Sequence, residues 1–326
     1  MILNIYDIKN NMENEIKEVI QMLNVMKNVQ KGTSHQRSLT KLTDTMNVKG
    51  ESFDINDYTE EAIAKELTRI TYYLFSKIEY KEFFGAKFTK KEKNKTSPNI
   101  IEAVNKFNNL SFFVIEEILS YDHKNQRGEV AGKFIKIADE LRKLNNFNDC
   151  MSIIAGLNHV ISQKLKKTWK CVSTVNITLF NSIRKFLSFE DNYKFLREQE
   201  KKCIQSRKPF IPFLGFYTKR VCFVEEQGRY LKNGILLNLD KIIDFYGNLK
   251  NFFIFKENNY IIGKQKELNI LQCLKPSTEA ELESLAERLE PSFILASKRL
   301  MDKRDTNTDK VYKKITNGFT SNTKFI

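Results

Sequence analysis

Apolar residues recur at steps of three and four through most of this chain, and only five prolines and twelve glycines in 326 residues interrupt them. Such spacing puts them on one face of an α-helix, whose period is about 3.6 residues. Residues 5–27 carry Ile5, Ile8, Met12, Ile16, Val19, Leu23 and Met26 in that register, the pattern of an amphipathic helix. A second run places Ile63, Leu67, Ile70 and Leu74 on one face behind Asp57, a residue type suited to an N-cap. Ser97-Pro98 opens PNIIEAVNKFNNLSFFVIEEILS, and further helices are read at 128–145, 147–162 and 174–187. Another runs from Asp240 to about Lys256, with Ile242, Phe245, Leu249 and Phe252/Phe253 on one face, and a last one follows Pro276-Ser277 and stops at Pro291. Alternation of period two is limited to short pieces such as NYIIGK. The expected fold class is all-α.

A hydrophobic content of 41%, with 25 Phe and 12 Tyr, provides a core and excludes a disordered chain. The five cysteines form no C-x-x-C pair and are odd in number, which suits a reducing compartment better than a disulfide framework or a zinc site. The N-terminus MILNIYDIKNNMEN lacks the apolar core of a signal peptide. No apolar run reaches the roughly 18 residues that a membrane span requires, so a cytoplasmic location is expected. The polar stretch at 31–52 reads as a linker. A net charge of +14 admits nucleic acid, an anionic membrane surface or an acidic protein as partner. The lysines are spread along the chain, however, and the densest groups, 89–95 and 298–304, read as loop and tail. Solvated helix faces account for that distribution, and no nucleic acid is expected.

Motifs for bond-making chemistry are absent. There is no phosphate-binding G-x-x-x-x-G-K-[ST], no G-x-G-x-x-G and no G-x-S-x-G. His35, His123 and His159 stand alone, without a second metal ligand at helical spacing. No cofactor and no metal are expected, and Trp169 is assigned to core packing. The stretch FIPFLGFYTKRVCFVEEQG at 210–228 is less ordinary. It reads as a helix between Pro212 and Gly228, yet it ends on Glu225 and Glu226. The carbonyl end of a helix is partially negative, and acids there typically cost about 0.3–1 kcal/mol each. On the helical wheel Phe213, Phe216, Tyr217, Arg220 and Val224 gather on one side, Thr218, Lys219, Cys222 and Glu226 on the other. Cys222 and Glu226, four apart, stack on one exposed face.

Four segments, in order, resemble the catalytic domain of the Ras-type guanine-nucleotide exchange factors, the family that includes Son-of-sevenless. They are AKELTRITYYLFSKIEYKEFF (64–84), SPNIIEAVNKFNNLSFFVIEEIL (97–119), LRKLNNFNDCMSIIAGLNHVISQKLKKTW (141–169) and PFIPFLGFYTKRVCFVEEQG (209–228), the last followed by NGILLNLDKI (233–242). The likeness runs from about Phe53 to Pro291 and includes the closing L-E-P. It implies a catalytic domain at 53–292, preceded by the helix and linker of 1–52 and followed by a basic tail at 293–326. It also implies a helical bundle with a protruding helical hairpin at about 213–256. In this family the hairpin wedges into a Ras-family small GTPase, GDP-bound or nucleotide-free, displaces a switch, and disturbs the magnesium and phosphate sites so that GDP escapes. No bond is made or broken.

Residue by residue, the resemblance gives Cys222, Glu226 and Asn145 exchange roles. Cys222 would bring a non-ligating side chain to the magnesium site, Glu226 a carboxylate where phosphate sits, and Asn145 a hold on the other switch. Phe213, Thr218, Lys219 and Ala138 match GTPase-binding positions. Several departures stand out. Tyr217-Thr218-Lys219-Arg220 replaces Tyr-Leu-Thr-Asp or Tyr-Leu-Thr-Asn, Gln227-Gly228-Arg229 replaces Gly-Asn-Pro, and Ile242-Ile243 replaces a basic pair. Only about 50 residues stand ahead of the domain, where relatives carry a separate helical brace, and the 5–27 helix is the expected substitute. A GTPase-binding scaffold without exchange activity is the alternative reading. A basic nucleic-acid-binding helical protein is a distant one, supported by net charge alone. Recruitment to an anionic membrane surface is compatible with the charge.

Overall fold

The computed structural model describes residues 54–228, 230–231, 236–263 and 277–291. The 5–27 helix, the 31–52 linker and the 293–326 tail lie outside them. Nine longer helices are described: α1 (Glu60–Lys77), α2 (Pro98–Leu119), α3 (Lys124–Lys143), α4 (Phe147–Asn158), α5 (Thr174–Phe186), α6 (Lys194–Gln205), α7 (Leu214–Glu226), α8 (Leu239–Phe253) and α9 (Glu279–Leu289). Short turns of helix lie between several of them. Two antiparallel two-residue strands, β1 (Tyr230–Leu231) and β2 (Leu236–Leu237), join α7 to α8, with Tyr230 opposite Leu237. Among the described residues the fold is all-α apart from this ribbon.

Capping sets the helix starts and shifts several of them from the sequence reading. Thr59, not Asp57, caps α1: its hydroxyl accepts the Ala62 N–H at 3.2 Å. Pro98 opens α2 as read, but the Ser97 hydroxyl donates to the Glu82 carbonyl at 2.8 Å instead of capping. The orphan N–H groups of Asn99 and Ile100 go to the Glu82 carboxylate at 2.9 and 3.1 Å. The helix read at 147–162 breaks at His159, which turns extended (ψ 147) and caps a separate turn, Val160–Lys164. Thr278 starts α9 through a reciprocal pair with Glu281.

The core lies where α1, α2, α3 and α4 pack, and it holds buried Leu67, Phe75, Leu110, Ile115, Phe134, Ile153 and Leu157. Gly156 permits a close approach of α2 and α4. A Cβ there would lie 2.5 Å from the Ser111 carbonyl oxygen and 2.9 Å from Val114 Cβ, so any side chain would push α2 from α4. Among the described residues, two ion pairs sit deep inside. Lys106 donates to Asp149, which also accepts from Thr71 at 2.6 Å and from Asn146 at 2.8 Å. Arg127 meets Glu290 at 3.0 Å, and Glu290 accepts the N–H groups of Lys167 and Thr168 at 2.7 and 2.9 Å. The K-K-T-W turn and the closing L-E-P are therefore one buried network. Trp169 packs as expected: its ring stacks on Phe180 at 5.2 Å, and its indole N–H donates to the Ser162 carbonyl at 2.8 Å.

Candidate functional site

The site grows out of L-N-N-F-N-D. Asn145 adopts a left-handed backbone, φ 56, a conformation that asparagine tolerates. Asn146 then caps α4, accepting the Asp149 N–H at 3.1 Å. The flanking backbone groups reach the chain ahead of α7. The Ile211 N–H donates to the Asn145 carbonyl at 2.9 Å, and the Phe147 N–H donates to the Ile211 carbonyl at 3.0 Å. Asn148 completes the anchor, its Oδ1 accepting the Leu214 N–H at 3.3 Å. Leu214 is the first residue of α7, and the residue in the cap position, Phe213, has no side-chain acceptor. Asn148 therefore caps α7 from another helix.

Phe213 lies over Gly215, where a Cβ would come within 2.5 Å of its ring, and it packs against Phe107 and Tyr193 at 6.0 and 5.7 Å. Beyond it α7 buries Leu214, Phe216, Tyr217, Val221 and Val224. Its other face carries exposed Lys219 and Glu226, half-buried Cys222, and Phe223 at 67% exposure. The Lys219 ammonium rests 4.2 Å above the Phe189 ring. Thr218 is half-buried, its hydroxyl donating back to the Leu214 carbonyl at 3.1 Å.

α8 runs antiparallel to α7. Tyr217 meets Phe252, Arg220 donates to Asn248, and Glu225 pairs with Lys241, so partners fall in number as α7 rises. This pairing resolves the acidic ending of α7. Glu225 meets Lys241 Nζ at 2.9 Å with its Oε2 and accepts the Gly85 N–H at 2.9 Å with its Oε1. Lys241 also donates to the Gln227 carbonyl at 3.0 Å. The cation that α7 lacks at its carbonyl end is thus supplied by α8. Gly85, at φ 66, lies at the kink of a 3-10 helical segment, Phe84–Thr89, whose Phe84 stacks on Phe245 of α8 at 5.2 Å. That segment buttresses the hairpin among the described residues.

Glu226 makes no hydrogen bond or ion pair among the described residues. Burial, then the Glu226 charge, push the Cys222 thiol above its ordinary pKa, against a weaker pull from Lys90. The thiol stays protonated, and a neutral thiol is a poor ligand for magnesium. Ala138 does not join this face. It is fully buried on α3, and its carbonyl accepts from the Cys150 thiol, so it offers no surface to a partner. Asn145 sits at the foot of α7, its amide donating to the Pro209 carbonyl at 3.3 Å. No group of three or more His, Cys, Asp and Glu among the described residues is disposed to hold a metal, and no described helix is long and apolar enough to cross a membrane.

These features define an all-helical domain whose α7–α8 hairpin is tied at its foot to α4 and leaves one face of its first arm open. The family model described as the RasGEF domain matches residues 62–243, more than half the chain, and the chain belongs to that family. Ras-specific guanine nucleotide-releasing factor 1 of Homo sapiens is 33% identical over 250 residues, covering 76% of this chain and 19% of that protein. Ras guanine nucleotide exchange factor M of Dictyostelium discoideum is 34% identical over 171 residues, 52% of this chain and 18% of its own length. Ras-specific guanine nucleotide-releasing factor 2 of Mus musculus is 28% identical over 303 residues, 87% of this chain and 25% of its own. The chain thus spans a quarter or less of each of these relatives.

Proposed function

We propose that the protein is an exchange factor that promotes GDP release from a Ras-family small GTPase, with the α7–α8 hairpin entering the GTPase at its switch, magnesium and phosphate sites. One observation carries the reading: of two adjacent acids, Glu225 is tied into the hairpin while Glu226 is exposed and has no partner among the described residues, one turn from a neutral thiol. Glu226 would stand where a phosphate stood, repelling it and accepting bonds from the donors it leaves. Cys222 would crowd the magnesium position without ligating it. Exposed Phe223 and Lys219 face the same partner, and Phe213 and Asn145 lie at the hairpin foot, where the partner's second switch would rest.

No covalent catalysis is involved. Release is accelerated because the factor binds the nucleotide-free GTPase better than the loaded one, which by linkage weakens nucleotide binding equally. A nucleotide held at about 1 pM represents about 16 kcal/mol, so the anchored foot of the hairpin matters: a loose wedge would yield before the GTPase did. The net charge of +14 supports recruitment to an anionic membrane surface from the cytoplasm. The test is release of a fluorescent GDP analogue from a panel of Ras-, Rap- and Ral-like GTPases. Acceleration by the wild type, with loss in Glu226→Ala and retained GTPase binding, is the expected result. Binding without acceleration across the panel would instead establish a scaffold, the reading to which the Thr218-Lys219-Arg220 departure points.

A further inference from the structure

One buried acid behind the hairpin has no part in the exchange reading. Glu200 lies on α6 between Leu196 and Cys203, on that helix's buried stripe, and is 4% exposed. The Tyr217 hydroxyl donates to its Oε2 at 2.8 Å, and the Phe213 backbone N–H approaches the same carboxyl. Both donors belong to the first arm of the hairpin and its cap. Oε1 has no hydrogen-bond partner among the described residues. The carboxyl is therefore held from one side, by the hairpin.

Its charged neighbours are engaged elsewhere. On α6, Arg197 donates to the carbonyls of Asn192 and Asp191 at 2.9 and 3.0 Å, clamping three successive left-handed residues, Asp191, Asn192 and Tyr193. On α7, Arg220 donates to Asn248 and lies over the Phe216 ring at 5.7 Å. Cys203 is a thiol that the same burial pushes up, with Lys208 beyond it. From α8 the Phe252 ring arrives, 5.2 Å from that of Tyr217. No cation forms an ion pair with Glu200 among the described residues; the Arg197 charge favours its ionised form without pairing with it, and an ionised carboxylate in such a place is costly. Burial pushes its pKa up to about 7, outweighing the downward pulls of the Tyr217 and Phe213 hydrogen bonds and of the Arg197 charge.

The geometry points to Glu200 as a positioning residue for the hairpin: buried as the neutral acid it accepts from Tyr217 and holds α7 against α6, and ionisation, although it strengthens that hydrogen bond, places a desolvated charge behind the hairpin and so loosens the seat. The consequence for exchange rests on the proposed function, but the seat itself does not. An opening that hydrates Glu200 restores an ordinary carboxylate, so the equilibrium for opening rises with pH from the unfolded value to about 7 and then levels.

The full chain is compared with Glu200→Gln, which fixes the neutral form. Hydrogen exchange of the amides of 209–226, corrected for intrinsic rates, is followed at about pH 6 and pH 8; wild-type protection should fall about tenfold between them, while that of Glu200→Gln stays level. GDP release should follow, the ratio of wild-type to variant rate dropping over the same interval. Tyr217→Phe, which removes the hydroxyl joining the two helices, should lose protection at the lower pH. Identical protection profiles for wild type and Glu200→Gln, or undiminished protection in Tyr217→Phe, would overturn the assignment. A pH-dependent seat in a protein that releases GDP from no GTPase would uphold the seat and reject the exchange reading.

Discussion

Glu225→Ala removes a carboxylate that accepts the Gly85 N–H at 2.9 Å and meets Lys241 at 2.9 Å. Hydrogen bonds to charged groups contribute about 1.5–3 kcal/mol net, and a partly exposed ion pair adds about 0–1 kcal/mol. Gly85 is exposed, so water takes over its N–H, and the low end of the range applies. The expected loss is about 2 kcal/mol. In a domain of this size that lowers the melting temperature by about 4–8 °C. Glu226→Ala removes an exposed carboxylate, and its cost should stay within about 0.5 kcal/mol. Thermal melts and GDP-analogue release on the same preparations then separate the two: Glu225→Ala melts early and keeps exchange below its transition, while Glu226→Ala melts like wild type and loses exchange. Equal melts for the two variants, or a larger loss in Glu226→Ala, would refute the division of labour.

Two further outcomes follow from the core. Burial raises the Glu290 carboxyl, but hydrogen bonds from Thr168, Lys167 and Arg127 more than offset it, leaving the pKa below its ordinary value. The stability it contributes is complete above the unfolded carboxylate value of about 4.3 and is lost as pH falls through the lower folded value; Arg127→Met should cost about 3–5 kcal/mol at neutral pH and flatten that acid limb in urea titrations. Gly156→Ala must spread α2 from α4 and should cost about 1–3 kcal/mol, read as a lower urea midpoint; a wild-type midpoint would show that the helices separate freely.

Much of the fold was legible because its signals are local. Ile63, Leu67, Ile70 and Leu74 of α1, and Phe245, Leu249 and Phe252 of α8, are buried as their spacing requires. Periodicity does not reveal α6, since KFLREQEKKCIQ places Glu200 in the middle of its buried stripe. That misplaced acid was itself the available signal. The roles of Glu225, Asn148 and Glu290 depend on partners far along the chain, at Gly85, Leu214 and Arg127, which no local pattern announces. Asn145 illustrates a different difficulty: its left-handed backbone explains an asparagine without any partner protein. Ala138 was assigned to the interface by likeness alone, and burial removes it.

The Arg127–Glu290 pair also orders events at the ribosome. Its members stand 163 positions apart, an interval that takes about 8–30 s to translate at about 5–20 residues per second. Until Glu290 is made, the guanidinium of α3 and, once translated, the N–H groups of Lys167 and Thr168 lack their carboxylate. The nascent bundle can collapse around α1 to α4, but burying Arg127 before α9 emerges would strand a charge. The hairpin is therefore translated before the pair that closes the bundle can form, and apolar surface exposed over such an interval is the kind that chaperones cover.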